Sequence, residues 1–499
     1  MSDIRSPHSD PGTATHAEGA EHLHRSLQNR HVQLIAIGGA IGTGLFMGSG
    51  KTIHAAGPSI LLVYLTIGTM LFFVMRAMGE LLLHDLNFKS FQDFTAEFLG
   101  AWAGFFSGWT YWLCWVVTGM AEVIAVAGYW NFWVNSDHPE KMTMTAILLA
   151  VITLVGLLGL NLLTVKLFGE MEFWFALIKV VAIVALIAAG IVMVATRFTA
   201  PDGTPASLSY LWDRPGGFFP HGMSGFFAGF QIAVFAFVGI ELVGTTAAET
   251  ADPTKTLPRA INSIPVRVVV FYVFALMAIM TVTPWDQVNP AVSPFVNLFS
   301  LVGIASAASL MNFVVLTSAS SSCNSGIFST SRMLYGLAHK NMAPAAFGRL
   351  SGRAVPRNGL LISVALIGCC IFLLMSGETV MEAFTIVTTI AAVLFIFVWG
   401  LIMVSYIVYR RRLPEAHSRS IYKMPGGVPM CYVVLAFFAF VLVLLTRETD
   451  TMNALLVTPV WFLLLGGSWY VVKDRVRHDD ATTEDLDQPV VADRGNEQA

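Results

Sequence analysis

Charged side chains are scarce in this sequence of 499 residues. Asp, Glu, Lys and Arg together make up 12% of the chain, about half of the ~25% that is usual in soluble domains. A soluble globule of this composition would have too few charges to cover its surface. The formal net charge of −3 also argues against a nucleic-acid partner, because phosphate recognition needs a basic face. Since apolar residues make up 55% of the chain, we expect the surrounding medium to be the lipid bilayer.

Cysteines and catalytic motifs are scarce as well. The five cysteines show no CxxC spacing and no matching pair of histidines, so neither a zinc site nor a disulfide framework is indicated. No cofactor is predicted. Neither an HExxH sequence nor a GxSxG elbow occurs, so the chain is not expected to be an enzyme. Residues 49–52 (SGKT) end like a phosphate-binding loop, but Leu45 stands where that motif requires its first glycine.

Long uncharged runs are the main feature of the sequence. A helix needs about 20 residues to cross a hydrocarbon core about 30 Å thick, and the chain holds twelve candidate runs. We number them spans 1 to 12, and they cover residues 32–50, 58–75, 99–121, 142–165, 173–196, 222–244, 268–285, 295–330, 358–377, 383–409, 424–446 and 451–472. Span 3 continues past Glu122, and spans 5 and 6 are interrupted by Lys179 and Glu241. The run 295–330 is too long for one straight span and predicts an additional interfacial segment. We therefore predict an all-α membrane protein with a transmembrane domain over 32–473.

Polar segments flank this domain on both sides. Residues 1–31 carry five histidines, and we expect a disordered cytoplasmic tail there, not a signal peptide or a metal-binding tract. Residues 474–499 are rich in Asp and Glu, and we expect a second disordered cytoplasmic tail. If both termini are cytoplasmic, the inner segments hold 23 Lys and Arg residues and the outer loops hold 5. This asymmetry predicts that orientation, because short cytoplasmic loops accumulate basic residues.

Span 1 contains four glycines within the seven positions from Gly38 to Gly44. Each costs about 1 kcal/mol relative to alanine in a helix interior, so the run predicts an unwound segment. Unwound backbone at membrane depth is tolerated only where protein or a water-lined cavity satisfies it. The break therefore marks a site inside the helix bundle. A close-packing face of small residues is the alternative.

Span 6 has a similar interruption, because Gly239 and Gly244 flank the carboxylate of Glu241. Spans 1 and 6 occupy corresponding places in two halves of five spans each. This correspondence predicts a five-plus-five inverted repeat with discontinuous spans 1 and 6, followed by two extra spans. In such an architecture the substrate binds between the two breaks.

The chemistry of the two breaks suits an amino acid. The N–H groups freed at Gly42, Thr43 and Gly44 stand at the start of the outer half of span 1, where the positive end of a helix dipole favours a carboxylate. The carbonyl groups that can accept hydrogen bonds from an ammonium group are those near Ala40, Ile41, Phe235 and Val238. The ring of Phe235 can close over the bound molecule and exclude water. A zwitterion therefore fits between the breaks.

Four segments resemble a known family of transporters. They are NRHVQLIAIGGAIGTGLF at 29–46, MRAMGEL at 75–81, FAFVGIELVG at 235–244 and NSGIFSTSRMLY at 324–335. They are similar to the amino acid transporter family of the amino acid–polyamine–organocation superfamily, and the resemblance extends over about residues 25–473. Within that family, the runs 29–53, 226–231 and 245–249 resemble the proton symporters for D-serine, D-alanine and glycine of bacterial inner membranes.

The resemblance implies the inverted repeat with two extra helices and proton-driven uptake. It places carboxylate binding on Thr43 and Gly44, and an aromatic gate on Phe235. It places ammonium binding on the carbonyls of Ala40, Phe235 and Val238. It also places Lys179 where sodium-coupled relatives hold an ion. The implied partners are a small amino acid, a proton and the lipid bilayer.

Three ionisable residues, Glu122, Lys179 and Glu241, lie well inside the predicted spans. Charges at membrane depth must face the bundle interior or pair, so each is a candidate for proton coupling. Lys179 leads, because removal from water brings a lysine closer to proton exchange at physiological pH. The alternatives are a static pair for Lys179, a bond to unwound backbone for Glu241 and interhelical packing for Glu122.

A secondary transporter accounts for the paired breaks and the buried ionisable residues together. A channel needs no such coupling set and favours rings of pore-lining residues. We therefore predict an uptake permease of the bacterial inner membrane for small amino acids. Other amino acids, such as aromatic or gamma-aminobutyric substrates, are the alternative. Sodium coupling through the hydroxyls of Ser320 and Ser321 is a further alternative, although a cation at Lys179 would repel the ion.

Overall fold

The computed structural model describes residues 41–486 apart from 89, 136–141, 164, 202, 243, 245–251, 302–304, 354 and 378. Within these residues the regular structure is helical, and one isolated bridge pairs Thr199 with Pro205. The all-α prediction is therefore confirmed for the described part of the chain. The predicted tail 1–31 and the predicted site residue Ala40 lie outside the described residues.

The helices follow the order of the predicted spans. Spans 1 to 5 contain Thr43–Phe46, Gly48–Ala56, Ile60–His84, Ala101–Val134, Met144–Asn161 and Val165–Ala195, with the short helix Phe91–Leu99 before span 3. Spans 6 to 8 contain Gly222–Ala228, Phe230–Ala233, Phe235–Phe237, Val268–Val273, Phe274–Val282, Pro294–Leu301 and Ala305–His339, with Pro253–Asn262 and Ile264–Arg267 between spans 6 and 7. Spans 9 to 12 contain Arg357–Gly368, Cys370–Met375, Val380–Arg412, Gly427–Leu444 and Thr449–Leu486, with Pro414–Arg419 between spans 10 and 11.

Nine helices in the described part of the chain are long and apolar enough to cross a membrane. They correspond to spans 2 to 5, 7 and 9 to 12. Of the other three, span 1 begins outside the described residues, span 6 is interrupted, and span 8 carries the serine-rich stretch 318–325. The count of twelve spans and the inverted repeat stay predictions.

Span 8 and span 12 differ from simple apolar spans. The long run 295–330 forms two helices, Pro294–Leu301 and Ala305–His339, in agreement with the predicted additional segment. The last helix continues to Leu486, so the boundary predicted at residue 473 falls inside a continuous helix.

Spans 3 and 10 lie at the centre of the bundle. Buried residues make up 83% of the most apolar window of span 3 and 78% of that of span 10, but only 11% of that of span 12. Span 12 thus exposes large apolar residues such as Leu463, which suits contact with lipid. Spans 3, 8 and 10 each contact a broken segment of span 1 or span 6. They therefore enclose the region of the breaks.

Candidate functional site

The predicted break in span 1 is present at its described end. Gly42 has an extended backbone (φ −120°, ψ −169°), and a helical turn begins at Thr43. The second half of the span then continues to Ala56, interrupted by a turn at Met47. The first N–H groups of a helix have no partner within it. The N–H groups of Leu45 and Phe46 donate to the Gly42 carbonyl, so those of Thr43 and Gly44 are the ones directed at a ligand at this end of the span.

The break in span 6 lies directly after Phe235. Residues Phe235–Phe237 form a 3₁₀ turn, and Val238 is extended (φ −60°, ψ 137°). Gly239 follows with φ 97°, in the left-handed region that favours glycine. The glycine therefore allows the chain to leave the helix at this point.

The two breaks touch each other through backbone. A β-carbon placed on Gly44 would lie 2.5 Å from Ala236 Cα and 2.7 Å from Ala236 N, far inside the 3.5–4.0 Å at which carbon atoms normally pack. One placed on Gly48 would lie 2.9 Å from Ile232 Cγ2. Gly44 and Gly48 are therefore required for the close approach of span 1 to span 6.

The carbonyl groups predicted to bind an ammonium group already have partners in part. The oxygen of Phe235 accepts a hydrogen bond from the N–H of Val238 at 3.1 Å. The oxygen of Ile41 accepts one from the Ser318 hydroxyl at 3.4 Å. Each carbonyl oxygen has two lone pairs, so each retains one position for a further donor.

Glu241 stabilises the break in span 6. Its side chain is fully buried, and its Oε2 accepts a hydrogen bond from the Gly239 N–H at 3.2 Å. Its Oε1 accepts one from the Tyr111 hydroxyl at 3.2 Å. The carboxylate thus satisfies unwound backbone and joins it to span 3.

Glu122 and Lys179 belong to a second buried group. A β-carbon placed on Gly42 would lie 3.4 Å from Glu122 Oε1 and 3.6 Å from Ser322 Oγ, so Glu122 stands beside the break in span 1. Lys179 is 1% exposed and interacts electrostatically with Glu172 and Glu122. The sequence-based prediction named Glu122 and Lys179, and the structure brings them together.

Two buried oxygen atoms near the span 1 break have no hydrogen-bond partner in the described structure. They are Thr43 Oγ1 and Glu122 Oε2. Buried polar atoms are normally paired, and unpaired ones indicate a functional constraint or an absent ligand. These two atoms therefore leave hydrogen-bonding capacity at the start of the helix at Thr43.

An aromatic pair covers the break in span 6. The rings of Phe235 and Phe384 meet edge to face with centroids 5.9 Å apart, and both side chains are buried. Phe384 belongs to span 10. Its Cε1 would also lie 3.7 Å from a β-carbon on Gly48. Phe235 therefore has a partner ring across the region between the breaks.

The sequence does not identify Tyr111, Glu172 and Phe384 as site residues, and it names Ser321 only as a candidate sodium ligand. Glu172 has a usable signal, because it precedes Lys179 by seven residues and so shares its helix face. Tyr111 and Phe384 reach the site from spans distant in sequence, and nothing in their local pattern predicts these contacts.

Arg76 and Glu80 form a separate network at the end of span 2. Arg76 donates to Asn262 Oδ1 at 2.9 Å and lies over the ring of Tyr422 at 3.9 Å. Burial raises the pKa of Tyr422 to about 12, so its hydroxyl stays neutral at physiological pH. Glu80 accepts hydrogen bonds from the Tyr406 hydroxyl and the Met424 N–H, each at 2.8 Å. The network anchors span 2 to the segments around spans 7, 10 and 11.

Known proteins resemble the chain over most of its length. The family model of amino acid permeases matches residues 31–481. The D-serine/D-alanine/glycine transporter of Escherichia coli K12 is 63% identical over 457 residues, which are 91% of this chain and 95% of the relative. The amino-acid permease AapA of Bacillus subtilis is 52% identical over 445 residues, 89% and 94% of the two chains. The DL-alanine permease SerP2 of Lactococcus lactis is 42% identical over 446 residues, also 89% and 94%.

Proposed function

The chain belongs to the amino acid permease family, and from this premise we propose that it takes up D-serine, D-alanine and glycine together with protons. Members of this family are multi-pass membrane transporters, and the nine apolar helices of the described chain agree with that class. The relative that is 63% identical carries these three substrates in its name. The main structural support for this proposal is the backbone contact between the two broken spans at Gly44 and Ala236.

The substrate carboxylate binds at the start of the helix that begins at Thr43. The N–H groups there have no partner within the helix, and the helix dipole favours a negative charge. The unpaired Thr43 Oγ1 adds a hydroxyl donor. The second lone pairs of the Ile41 and Phe235 carbonyls, together with the carbonyl of Val238, accept hydrogen bonds from the ammonium group. Ala40, which lies outside the described residues, completes the proposed set.

The same surroundings select small side chains. The backbone contact between Gly44 and Ala236 leaves no room on that side. The paired rings of Phe235 and Phe384 close another side. A substrate side chain of at most two heavy atoms fits such a site, because an extra methylene in a filled pocket costs about 1–3 kcal/mol. Glycine, D-alanine and D-serine meet this condition.

Proton coupling is assigned to Lys179, with Glu122 beside the substrate. Glu122 stands next to Gly42, and Lys179 interacts with Glu122 electrostatically. A change in the charge of Lys179 therefore changes the electrostatic potential at the substrate site. Glu241 is assigned to support of the break in span 6, since its Oε2 accepts a hydrogen bond from the Gly239 N–H and its Oε1 accepts one from the Tyr111 hydroxyl of span 3. The chain lies in the bacterial inner membrane with both termini in the cytoplasm, as its 23 inner and 5 outer basic residues indicate.

The test is transport by the purified full-length protein in liposomes. We expect an inward pH gradient to drive accumulation of labelled D-alanine, and unlabelled D-serine and glycine to compete with it. A sodium gradient without a pH gradient should drive none. Aromatic amino acids and empty liposomes serve as controls. Accumulation driven by sodium alone, or inhibition by aromatic amino acids as strong as by glycine, would refute the proposal.

A further inference from the structure

Glu172 is a buried carboxylate that the transport cycle described above does not use. Its side chain is 1% exposed. Its Oε1 accepts a hydrogen bond from the Ser321 hydroxyl at 2.8 Å, while Oε2 has no hydrogen-bond partner in the described structure. A buried carboxylate inside a transporter bundle is expensive and usually functional. Its position therefore needs an explanation.

The burial pattern of span 5 places Glu172 and Lys179 on one face. Residues at alternating spacings of four and three are buried, and they are Glu172, Ala176, Lys179, Ile183 and Leu186. Trp174 and Val181, on the other side, are each 58% exposed. Seven residues of helix correspond to about 10 Å of rise, and the Lys179 side chain leans toward the helix N-terminus, where Glu172 lies. The two groups therefore lie in sequence along one buried stripe.

The proposed orientation of the chain gives the buried stripe of span 5 a direction across the membrane. With both termini in the cytoplasm, span 5 runs from the cytoplasm outward, so Glu172 lies on the cytoplasmic side of Lys179. Glu122 lies beside Gly42 and the proposed substrate site. Lys179 interacts electrostatically with both carboxylates. Lys179 thus interacts with one carboxylate beside the proposed substrate site and with another on its own cytoplasmic side.

We propose that Glu172 is the group through which the coupling proton leaves Lys179 for the cytoplasm. The Lys179 ammonium gives one proton to the Glu172 carboxylate, which leaves a neutral amine and a neutral carboxylic acid. The acid then loses that proton to water on the cytoplasmic side and becomes a carboxylate again. This inference rests on the proposed function, because it takes Lys179 as the coupling site and the termini as cytoplasmic.

The neighbours of Glu172 suit both of its protonation states. Ser321, Asn324 and Ser325 lie beside its carboxyl group. Hydroxyl and amide groups can donate to a carboxylate, and hydroxyl and amide oxygens can accept from a carboxylic acid. A fixed guanidinium partner would hold the group permanently ionised. This neutral polar shell instead allows the proton to arrive and leave.

The experiment compares E172Q with E170Q in liposomes that contain the full-length protein. Glu170 precedes Glu172 by two positions and so lies on a different face of the helix, which makes E170Q the matched control. One proton per substrate and a gradient of about one pH unit support about tenfold accumulation. We expect E172Q to fall to about onefold while it retains exchange at equal concentrations, and E170Q to accumulate like the unmodified protein.

Internal pH provides a readout that a structural role would not change. Lowering the internal pH should slow uptake by the unmodified protein, because it opposes proton release from Glu172. E172Q should lose this dependence, and E172D should recover part of it. Accumulation by E172Q equal to that of E170Q, or loss of exchange in a correctly folded E172Q, would overturn the inference. Normal accumulation by both E172Q and K179A would contradict the proposed coupling site at Lys179 together with this inference. Normal accumulation by E172Q, with accumulation lost in K179A, would contradict only the role of Glu172.

Discussion

Gly44 and Ala236 bring the two broken spans into backbone contact, since a β-carbon on Gly44 would lie 2.5 Å from Ala236 Cα. A helical glycine that faces lipid or open space has no such constraint. Gly156 in span 4 is an example, with nothing within 4 Å of the position of a β-carbon. The same substitution therefore has different consequences at the two positions.

Gly44→Ala should abolish uptake while leaving the protein in the membrane. The added methyl group forces spans 1 and 6 apart, and the substrate site depends on their contact. Gly42→Ala should keep part of the activity, because its methyl group meets Glu122 Oε1 at 3.4 Å, an ordinary contact. Uptake normalised to membrane abundance is the measurement, with Gly156→Ala as the control. Normal uptake by Gly44→Ala would remove this contact from the transport site.

Phe235→Leu and Phe384→Leu should each weaken glycine and D-alanine transport. The swap keeps an apolar side chain of moderate volume but removes an edge-to-face pair worth about 0.5–1.5 kcal/mol beyond burial. We expect KM to rise by about 2- to 10-fold for each variant. The double variant should be no worse than the single ones by more than a small factor, since either change breaks the pair. Additive losses in this double-mutant cycle would show that the two rings act independently.

Lys179→Ala should lose accumulation against a gradient and keep part of its exchange activity. Exchange at equal concentrations requires no net proton movement, whereas accumulation does. Lys255, whose side chain is 72% exposed, supplies the matched control Lys255→Ala. Proteoliposomes with an imposed pH gradient separate the two activities. If Lys179→Ala still accumulates substrate in proportion to that gradient, Glu241 becomes the leading coupling candidate.

A comparison of Glu241→Gln with Glu241→Leu tests whether Glu241 supports the unwound backbone or transfers the coupling proton. Glutamine keeps an oxygen that can accept from the Gly239 N–H, so Glu241→Gln should retain pH-driven accumulation. Leucine leaves that N–H and the Tyr111 hydroxyl buried without an acceptor, at a cost of about 1–3 kcal/mol for each group. The apparent melting temperature in detergent should therefore fall for Glu241→Leu far more than for Glu241→Gln. A Glu241→Gln variant that is stable but cannot accumulate substrate would contradict the assignment.

The breaks were predictable because their cause is local. Glycine costs helix stability wherever it stands, and a carboxylate at Glu241 among apolar residues is visible in one window of sequence. The contacts of that carboxylate were not predictable. Tyr111 lies 130 positions away along the chain, and only packing of span 3 against span 6 brings the two together.

The missed role of Glu172 has a different origin. The uncharged run predicts that span 5 begins at Phe173, one residue after Glu172. The structure extends that helix back to Val165, which places Glu172 two turns inside it. The spacing of seven residues places Glu172 and Lys179 on one helix face, and this spacing predicts a shared role although Glu172 lies outside the uncharged run.

Span 5 also separates the buried ionisable groups from the lipid. Glu172 and Lys179 are buried on one side, and Trp174 and Val181 are exposed on the other, so a single helix about 10–12 Å across separates the ionisable groups from acyl chains. Within the part of the chain that the structure describes, no second protein layer covers Trp174 and Val181 on that outer face. The lipid-facing residues of span 5 therefore determine whether water can leak toward the coupling charges. They therefore help to keep the membrane impermeable to protons, although they bind neither the substrate nor the coupling proton.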